Sequence, residues 1–171
     1  MSIEIRPARV EDIPSLHRCL DAVAREERYL AFLEAPPFAE TRAYWGKMIE
    51  QRWPFHVALD RSDAIGWCDV SPNPRPALGH SGTLGMALLE THRGRGIGRR
   101  LLAATIAEAW RFGLHRIELA VLCSNIRARR LYEAMGFQEE GVLRQYWKAR
   151  DQYEDCVLMA LLRSRREQKL H

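Results

Sequence analysis

The spacing of apolar residues along this 171-residue chain changes several times, and each change predicts an element. "IEIRPA" alternates apolar and charged positions, the period of a strand, and ends at Pro7. Between Glu11 and Arg28, the residues Ile13, Leu16, Leu20, Val23 and Ala24 share one face at helical spacing. Glu11 and Asp12 stand at the end where a helix dipole favours acid. "RYLAFLEAPPFAE" is apolar and aromatic, yet Pro36 and Pro37 break it into a loop or broken helix. A second helix is expected from about Glu40 to Arg52. "FHVALD" and "AIGWCDV" read as two strands across the turn "RSD", and the proline-rich "SPNPRPALGHSG" as a connection rather than a central strand.

The second half alternates strand and helix. "TLGMALLE" reads as a buried strand, followed at once by a glycine-rich loop. From about Gly96 to Phe112 a helix carries Leu101, Leu102, Ile106 and Ala109 on one stripe, and Gly113 stands where a left-handed cap ends it. "RIELAVLC" is the next strand. "SNIRARRLYEAMG" is a short helix with Ser124 or Asn125 as N-cap and Gly136 as its stop. "FQEEGVLRQYWKA" and "YEDCVLMALL" form an antiparallel pair across "RDQ". The pattern contains no repeat and no linker. It describes one α/β domain over residues 1–162, with a polar tail at 163–171.

Composition narrows the class. A hydrophobic content of 47% with 28% charged residues is ordinary for a soluble globular domain. No apolar run approaches the roughly 20 residues of a membrane span, and the first residues lack the apolar core of a signal peptide. Cys19, Cys68, Cys123 and Cys156 are scattered singly, with no metal-ligand spacing, so free thiols in a cytoplasmic protein are the expectation and no metal is assigned. The net charge of +4 invites a nucleic-acid reading. However, the charge is concentrated from Thr91 to Arg130, with nine arginines against Glu108 and Glu118, and no basic-aromatic recognition motif accompanies it. A small anionic ligand accounts for that block, and no nucleic-acid partner is expected.

The block includes "LLETHRGRGIGRRLL", where a strand, a glycine turn and a helix meet. Such a junction binds anions because glycines let backbone N–H groups converge and the helix N-terminus adds positive partial charge. The dinucleotide pattern GxGxxG fails at Arg99, and a Walker loop fails for want of its Gly-Lys pair. R-x-x-G-x-G, read as Arg93, Gly96 and Gly98, does fit. A second pattern, N-x-x-A-x-x-L-Y-x-x-x-G-F, is met at Asn125, Ala128, Leu131, Tyr132, Gly136 and Phe137.

Together, in this order, the two motifs resemble those of the GCN5-related N-acetyltransferase (GNAT) superfamily, over about Ala64 to Leu162. The resemblance implies a GNAT fold: a mixed six- to seven-stranded sheet with splayed central strands and flanking helices. It implies acetyl-CoA as co-substrate. By motif position Met86, Ala87 and Leu88 would meet its pantetheine arm. Arg93, Gly94, Arg95, Gly96, Ile97 and Gly98 would take the pyrophosphate, mostly through backbone N–H groups, and Asn125 would contact the cofactor beyond the second strand. Arg130 would approach the ribose phosphate or simply be solvated.

The resemblance gives Tyr132 the role of proton donor to the departing thiolate; its ordinary pKa of ~10 lies near a thiol's ~8.5. Tyr132 also belongs to an apolar stripe with Ala128, Leu131 and Met135, so a core role stays open. Where some relatives carry a glutamate base, this chain has Ala120. Glu118, two residues earlier on the same strand face, is the alternative base, or else pairs with a nearby arginine; Glu90 and Asp69 are weaker candidates.

The resemblance implies an acceptor site between the first helices and the last hairpin, which here puts Tyr29, Phe32 and Phe38 on one side and Tyr146, Trp147 and Tyr153 on the other. That enclosure suits a small-molecule amine such as an amino acid or xenobiotic. Glu26, Glu27, Glu34, Glu139, Glu140 and Asp151 would instead build a pocket for a polyamine. A ribosomal-protein-like acetyltransferase and a non-catalytic acyl-CoA-binding module stay open, as does a homodimer.

Overall fold

The computed structural model describes residues 3–164. Seven strands form one mixed sheet in the order β1-β2-β3-β4-β5-β7-β6. In sequence they are β1 (Glu4–Pro7), β2 (Phe55–Asp60), β3 (Asp63–Pro72), β4 (Ser81–Leu88), β5 (Arg116–Leu122), β6 (Gln138–Ala149) and β7 (Gln152–Leu162). Four helices accompany them: α1 (Ile13–Ala24), α2 (Phe38–Glu50), α3 (Ile97–Phe112) and α4 (Ile126–Ala134). The α/β fold expected from the two motifs is therefore present.

Two apolar layers hold the sheet. On one face Leu101, Leu102, Ile106 and Ala109 of α3 pack on Cys68, Val70, Ile117, Leu119 and Val121, with Tyr132 and Phe137 at the α4 end. On the other face Ile13, Leu16, Leu20 and Val23 of α1, with Trp45 and Met48 of α2, pack on Phe55, Val57, Trp67 and Ala87. Strand alternation sorts the residues: Cys68 faces α3 while its neighbour Trp67 faces α1 and α2.

Every neighbouring pair of strands is antiparallel except β4 with β5. That parallel pair matches only Ser81, Gly82 and Thr83 with Arg116, Ile117 and Glu118. Beyond this register the strands part, and the facing edges of Leu84–Leu88 and Leu119–Leu122 carry no ladder between them.

Element ends follow local chemistry. Helix α1 begins at Ile13, after a 3-10 turn at Val10–Asp12, and Asp12 occupies its N-cap. Asp12 is pinned by a two-pronged bond from Arg6, 2.7 Å for each oxygen, and by the Arg9 N–H. The helix stops at Ala24 rather than Arg28, because the chain turns through a left-handed Glu27 (φ 50°). Helix α2 starts two residues before the expected Glu40, where Pro37 accepts the N–H groups of Glu40 and Thr41. Gly113 is left-handed (φ 103°) and closes α3 as expected. At the C-terminal side the expected tail begins at Arg163, yet its N–H donates to His115 and its guanidinium to Trp110, so Arg163 is fastened to the domain. The rest of that expected tail, 165–171, lies outside the described residues. Among the described residues no helix is long and apolar enough to cross a membrane.

Gly82 lies inside the short parallel register, where an added Cβ would meet Val70 Cγ1 at 2.5 Å and Leu114 Cδ1 at 3.0 Å. Gly82→Ala is expected to lower the unfolding free energy by about 1–3 kcal/mol through overpacking, read from urea denaturation.

Candidate functional site

The parting of β4 and β5 opens a cavity of about 710 Å³. Leu84–Leu88 and Leu119–Val121 form its side walls. Gly94, Gly96, Gly98 and Arg99 line it from the glycine loop, and Val23, Tyr29, Leu30 and Ala31 from α1 and the loop after it. Asn125, Arg127, Ala128, Leu131 and Tyr132 line it from α4 and its N-terminus.

At the glycine end the backbone is shaped for an anion. Gly94 (φ 76°) and Gly96 (φ 75°) are both left-handed, and Gly96 is the N-cap of α3 with no side-chain cap. The first N–H groups of a helix have no partner within it, so here they remain available to a ligand. Gly98 is required for space: a Cβ would come within 3.1 Å of the Met86 methyl carbon and 3.5 Å of Leu131.

Among the residues named from the motifs, Met86, Ala87, Leu88, Arg93, Gly94, Gly96, Gly98, Asn125 and Tyr132 all line the cavity. Ile97 does not; it is a buried core residue beneath the loop. Arg95 is exposed at the loop and also absent from the lining. Asn125 caps α4, its Oδ1 accepting the Ala128 N–H at 3.2 Å. Arg127, one turn before Arg130, is the α4 arginine that lines the cavity. The charge block pointed to that region, but only the helix phase separates the two arginines.

Arg93 departs most from its expected part. Its guanidinium donates to both carboxylate oxygens of Glu26 at 2.8 and 2.6 Å, its Nε donates to the Leu88 carbonyl at 2.8 Å, and it lies 4.9 Å from the Tyr29 ring centroid. The side chain is a strut between the end of β4 and the loop after α1, and its own N–H bonds Glu90. The Arg93 side chain is therefore engaged within the fold.

Tyr132 is buried, with its ring 5.6 Å from that of Phe137. Burial pushes its phenol well above the ordinary tyrosine value, with the Cys68 thiol adding to the effect. Glu118 is not brought to the cavity. It sits on the last paired rung, opposite Thr83 and below the point where the strands part. Its Oε2 accepts Arg116 Nε at 3.0 Å, and Arg116 also grips Glu140. Glu90 lines the cavity, while Asp69 is buried against Gly85. Neither His80 nor His92 lines it, and among the described residues no cluster of three metal-ligating side chains occurs.

The expected acceptor region is only partly assembled. Trp147 donates its indole N–H to the Leu30 carbonyl at 2.8 Å and, with Glu27, Tyr29, Ser124 and Glu154, lines a hollow of about 320 Å³. Phe38 instead packs edge-on against His17, and Tyr146 and Tyr153 are exposed. All six carboxylates considered for a polyamine pocket are already paired: Glu26 with Arg93, Glu27 with Arg150, Glu34 with Arg25, Glu139 with Arg129, Glu140 with Arg116, and Asp151 with Lys148.

A family model described as "Acetyltransferase (GNAT) family" matches residues 19–137. The chain belongs to that family. Relatives extend the likeness. An uncharacterised N-acetyltransferase of Bacillus subtilis is 33% identical over 87 residues, 51% of this chain and 56% of its own length, so the match spans little more than half of that relative. An L-methionine sulfoximine/L-methionine sulfone acetyltransferase of Pseudomonas aeruginosa is 29% identical over 94% of this chain and 95% of its own. In fold, the phosphinothricin acetyltransferase of Sinorhizobium meliloti, solved with acetyl-CoA, superposes with a TM-score of 0.87 at 21% identity, covering 95% of this chain and 89% of that one.

For this GNAT chain, the Arg93 strut ties the wall of the cavity to the loop that caps it. Arg93→Ala is expected to cost about 2 kcal/mol, because it strands a partly buried carboxylate. In a double-mutant cycle with Glu26→Gln, followed by urea unfolding, the second change should cost less once the first has been made.

Proposed function

We propose that this protein is an acetyl-CoA-dependent N-acetyltransferase that passes the acetyl group directly to the primary amine of a small amphipathic molecule, an amino acid or a xenobiotic amine. The observation that carries the reading is one continuous cavity, running from an uncapped helix N-terminus, between two unladdered strand edges, to a phenol in its wall.

Each part has a chemical duty. The N–H groups at the start of α3 hold a pyrophosphate. The free backbone edge of Leu84–Leu88 pairs with the amides of a pantetheine arm, as a strand would with its neighbour. Tyr132 holds a proton at its phenolic oxygen throughout the ordinary pH range, because burial has raised its pKa. It donates that proton to the sulfur as the C–S bond breaks. The desolvation that makes the phenol a weaker acid makes a thiolate beside it a stronger base as well, so burial acts on both partners in the same direction.

Two observations favour a small, weakly charged acceptor. The carboxylates that would recognise a polyamine are occupied by arginine and lysine. The Pseudomonas relative that aligns over 94% of the chain carries a name describing an amino-acid analogue as its substrate.

The test is CoA release from acetyl-CoA over a panel of amino acids, xenobiotic amines, polyamines and N-terminal peptides. Turnover is expected on amino acids or their analogues, with kcat/KM at least about tenfold lower on polyamines and peptides. Binding of acetyl-CoA with no release on any amine would leave a carrier module, and failure to bind would overturn the reading. Tyr132→Phe should lower kcat by about 10² while leaving acetyl-CoA affinity unchanged in calorimetry. In the unmodified enzyme, the raised phenol predicts no loss of kcat from tyrosine ionisation below about pH 10.

A further inference from the structure

Direct transfer from an amine that is protonated at neutral pH needs a group to take the first proton, and Glu118 lies below the cavity in an ion pair. On β3 a different carboxylate stands at the level of the splay. Asp69 pairs in register with Gly85 of β4, and Gly85 lines the cavity. The missing side chain is what makes room: a Cβ on Gly85 would lie 3.1 Å from Asp69 Oδ1. Asp69 is 7% exposed, so its carboxyl occupies the notch that Gly85 leaves in the sheet.

The two faces of the sheet separate acid from base. Cys68 faces α3, and its thiol is close enough to influence the Tyr132 phenol. Asp69, the next residue, accepts a hydrogen bond from the Trp67 indole and therefore lies on the opposite face, under α1 and α2. Tyr132 thus meets the splay from the side of α3 and α4, where the cofactor loop begins. Asp69 lies behind Gly85 on the opposite face, that of α1 and α2.

The surroundings of Asp69 hold no compensating cation. Its neighbour on β2 is Phe55, and on β4 it is Gly85. Burial raises the pKa of Tyr44 of α2, with the nearby Asp69 carboxylate adding to it, and the Tyr44 hydroxyl lies 2.6 Å from that of Ser71. Cys19 of α1, in the apolar cluster on this face, is a thiol pushed up to about 12 and so neutral. Asp12, Asp21, Glu26, Glu118, Glu139 and Glu140 all have arginine partners, and Asp69 has none among the described residues.

Resting on the acetyltransferase reading above, we propose that Asp69, standing behind the lining residue Gly85, is the proton acceptor for the incoming amine and is reached through a water beside Gly85. The ammonium gives one proton to the Asp69 carboxylate, and the nitrogen lone pair forms the C–N bond at the thioester carbonyl. As the C–S bond breaks, Tyr132 gives its proton to the sulfur and regains one from the nitrogen. Asp69 then releases its proton to solvent, so one proton leaves per amide formed. Burial suits this duty, pushing Asp69 up to about 7, partly offset by the Trp67 hydrogen bond. A carboxylate with that affinity accepts a proton near neutral pH and gives it up again.

The experiment compares wild type with Asp69→Asn, an isosteric change that can keep the bond from Trp67. In wild type, kcat on two amines of different basicity should show the same acid limb, with an inflection near pH 7. Asp69→Asn should bind acetyl-CoA as wild type does, lose kcat by about 10²-fold or more, and lose that limb. The free protein provides a second readout without turnover. A raised native pKa means the folded state holds its proton more tightly, so stability falls as pH rises from about 4 to 7. Asp69→Asn should flatten that slope in thermal unfolding.

A variant that keeps the acid limb, or keeps kcat within about threefold, overturns the proposal. If the variant does not fold, the wild-type profile decides: a limb that moves with the amine's own pKa overturns it, and a fixed limb supports it. Wild type that releases no CoA on any amine would instead overturn the acetyltransferase reading, a separate result.

Discussion

Three rungs of parallel ladder hold β4 to β5, and the rest of the molecule is arranged around their ending. A parallel pair carried to full length would close the sheet and leave no cavity. The outer edges of both strands are secured by antiparallel neighbours, β3 on one side and β7 on the other. Helix α3 packs across the first three strands and β4, so the parted strands are held from above rather than by each other. The backbone left unladdered there belongs to residues that line the cavity.

That arrangement explains why the loop arginines divide their duties. Glycines and a bare helix start present N–H groups without needing a side chain, which leaves Arg93 for mechanical work. The loop after α1 is gripped at three points by different elements: Glu26 by Arg93, Glu27 by Arg150, and Leu30 by Trp147. Two of the carboxylates that looked like an acceptor pocket, Glu26 and Glu27, are fasteners of this loop.

Much of this was legible in the chain. Alternation and helical spacing placed the seven strands and four helices, and the paired motifs placed the cavity-lining glycines, Asn125 and Tyr132. What stayed hidden depends on side chains from distant segments. No local pattern says that Glu26 reaches Arg93 across 67 residues, or that Glu118 turns to Arg116 instead of the cavity. Strand parity put Glu118 and Ala120 on one face correctly, yet it carries no information on where the neighbouring strand departs. Asp69 stood in the sequence only as a weaker candidate for the base, since "WCDV" is an ordinary strand segment until Gly85 is seen to lie beside it.

A sheet edge is usually a hazard, since its open N–H and C=O groups invite another chain to add a strand. In this protein two such edges face each other across a gap within the fold, flanked by α4 and the loop after α1. The same hydrogen-bonding groups that drive aggregation elsewhere are, by being turned inward, kept off the outer edges of the sheet, which belong to β1 and β6.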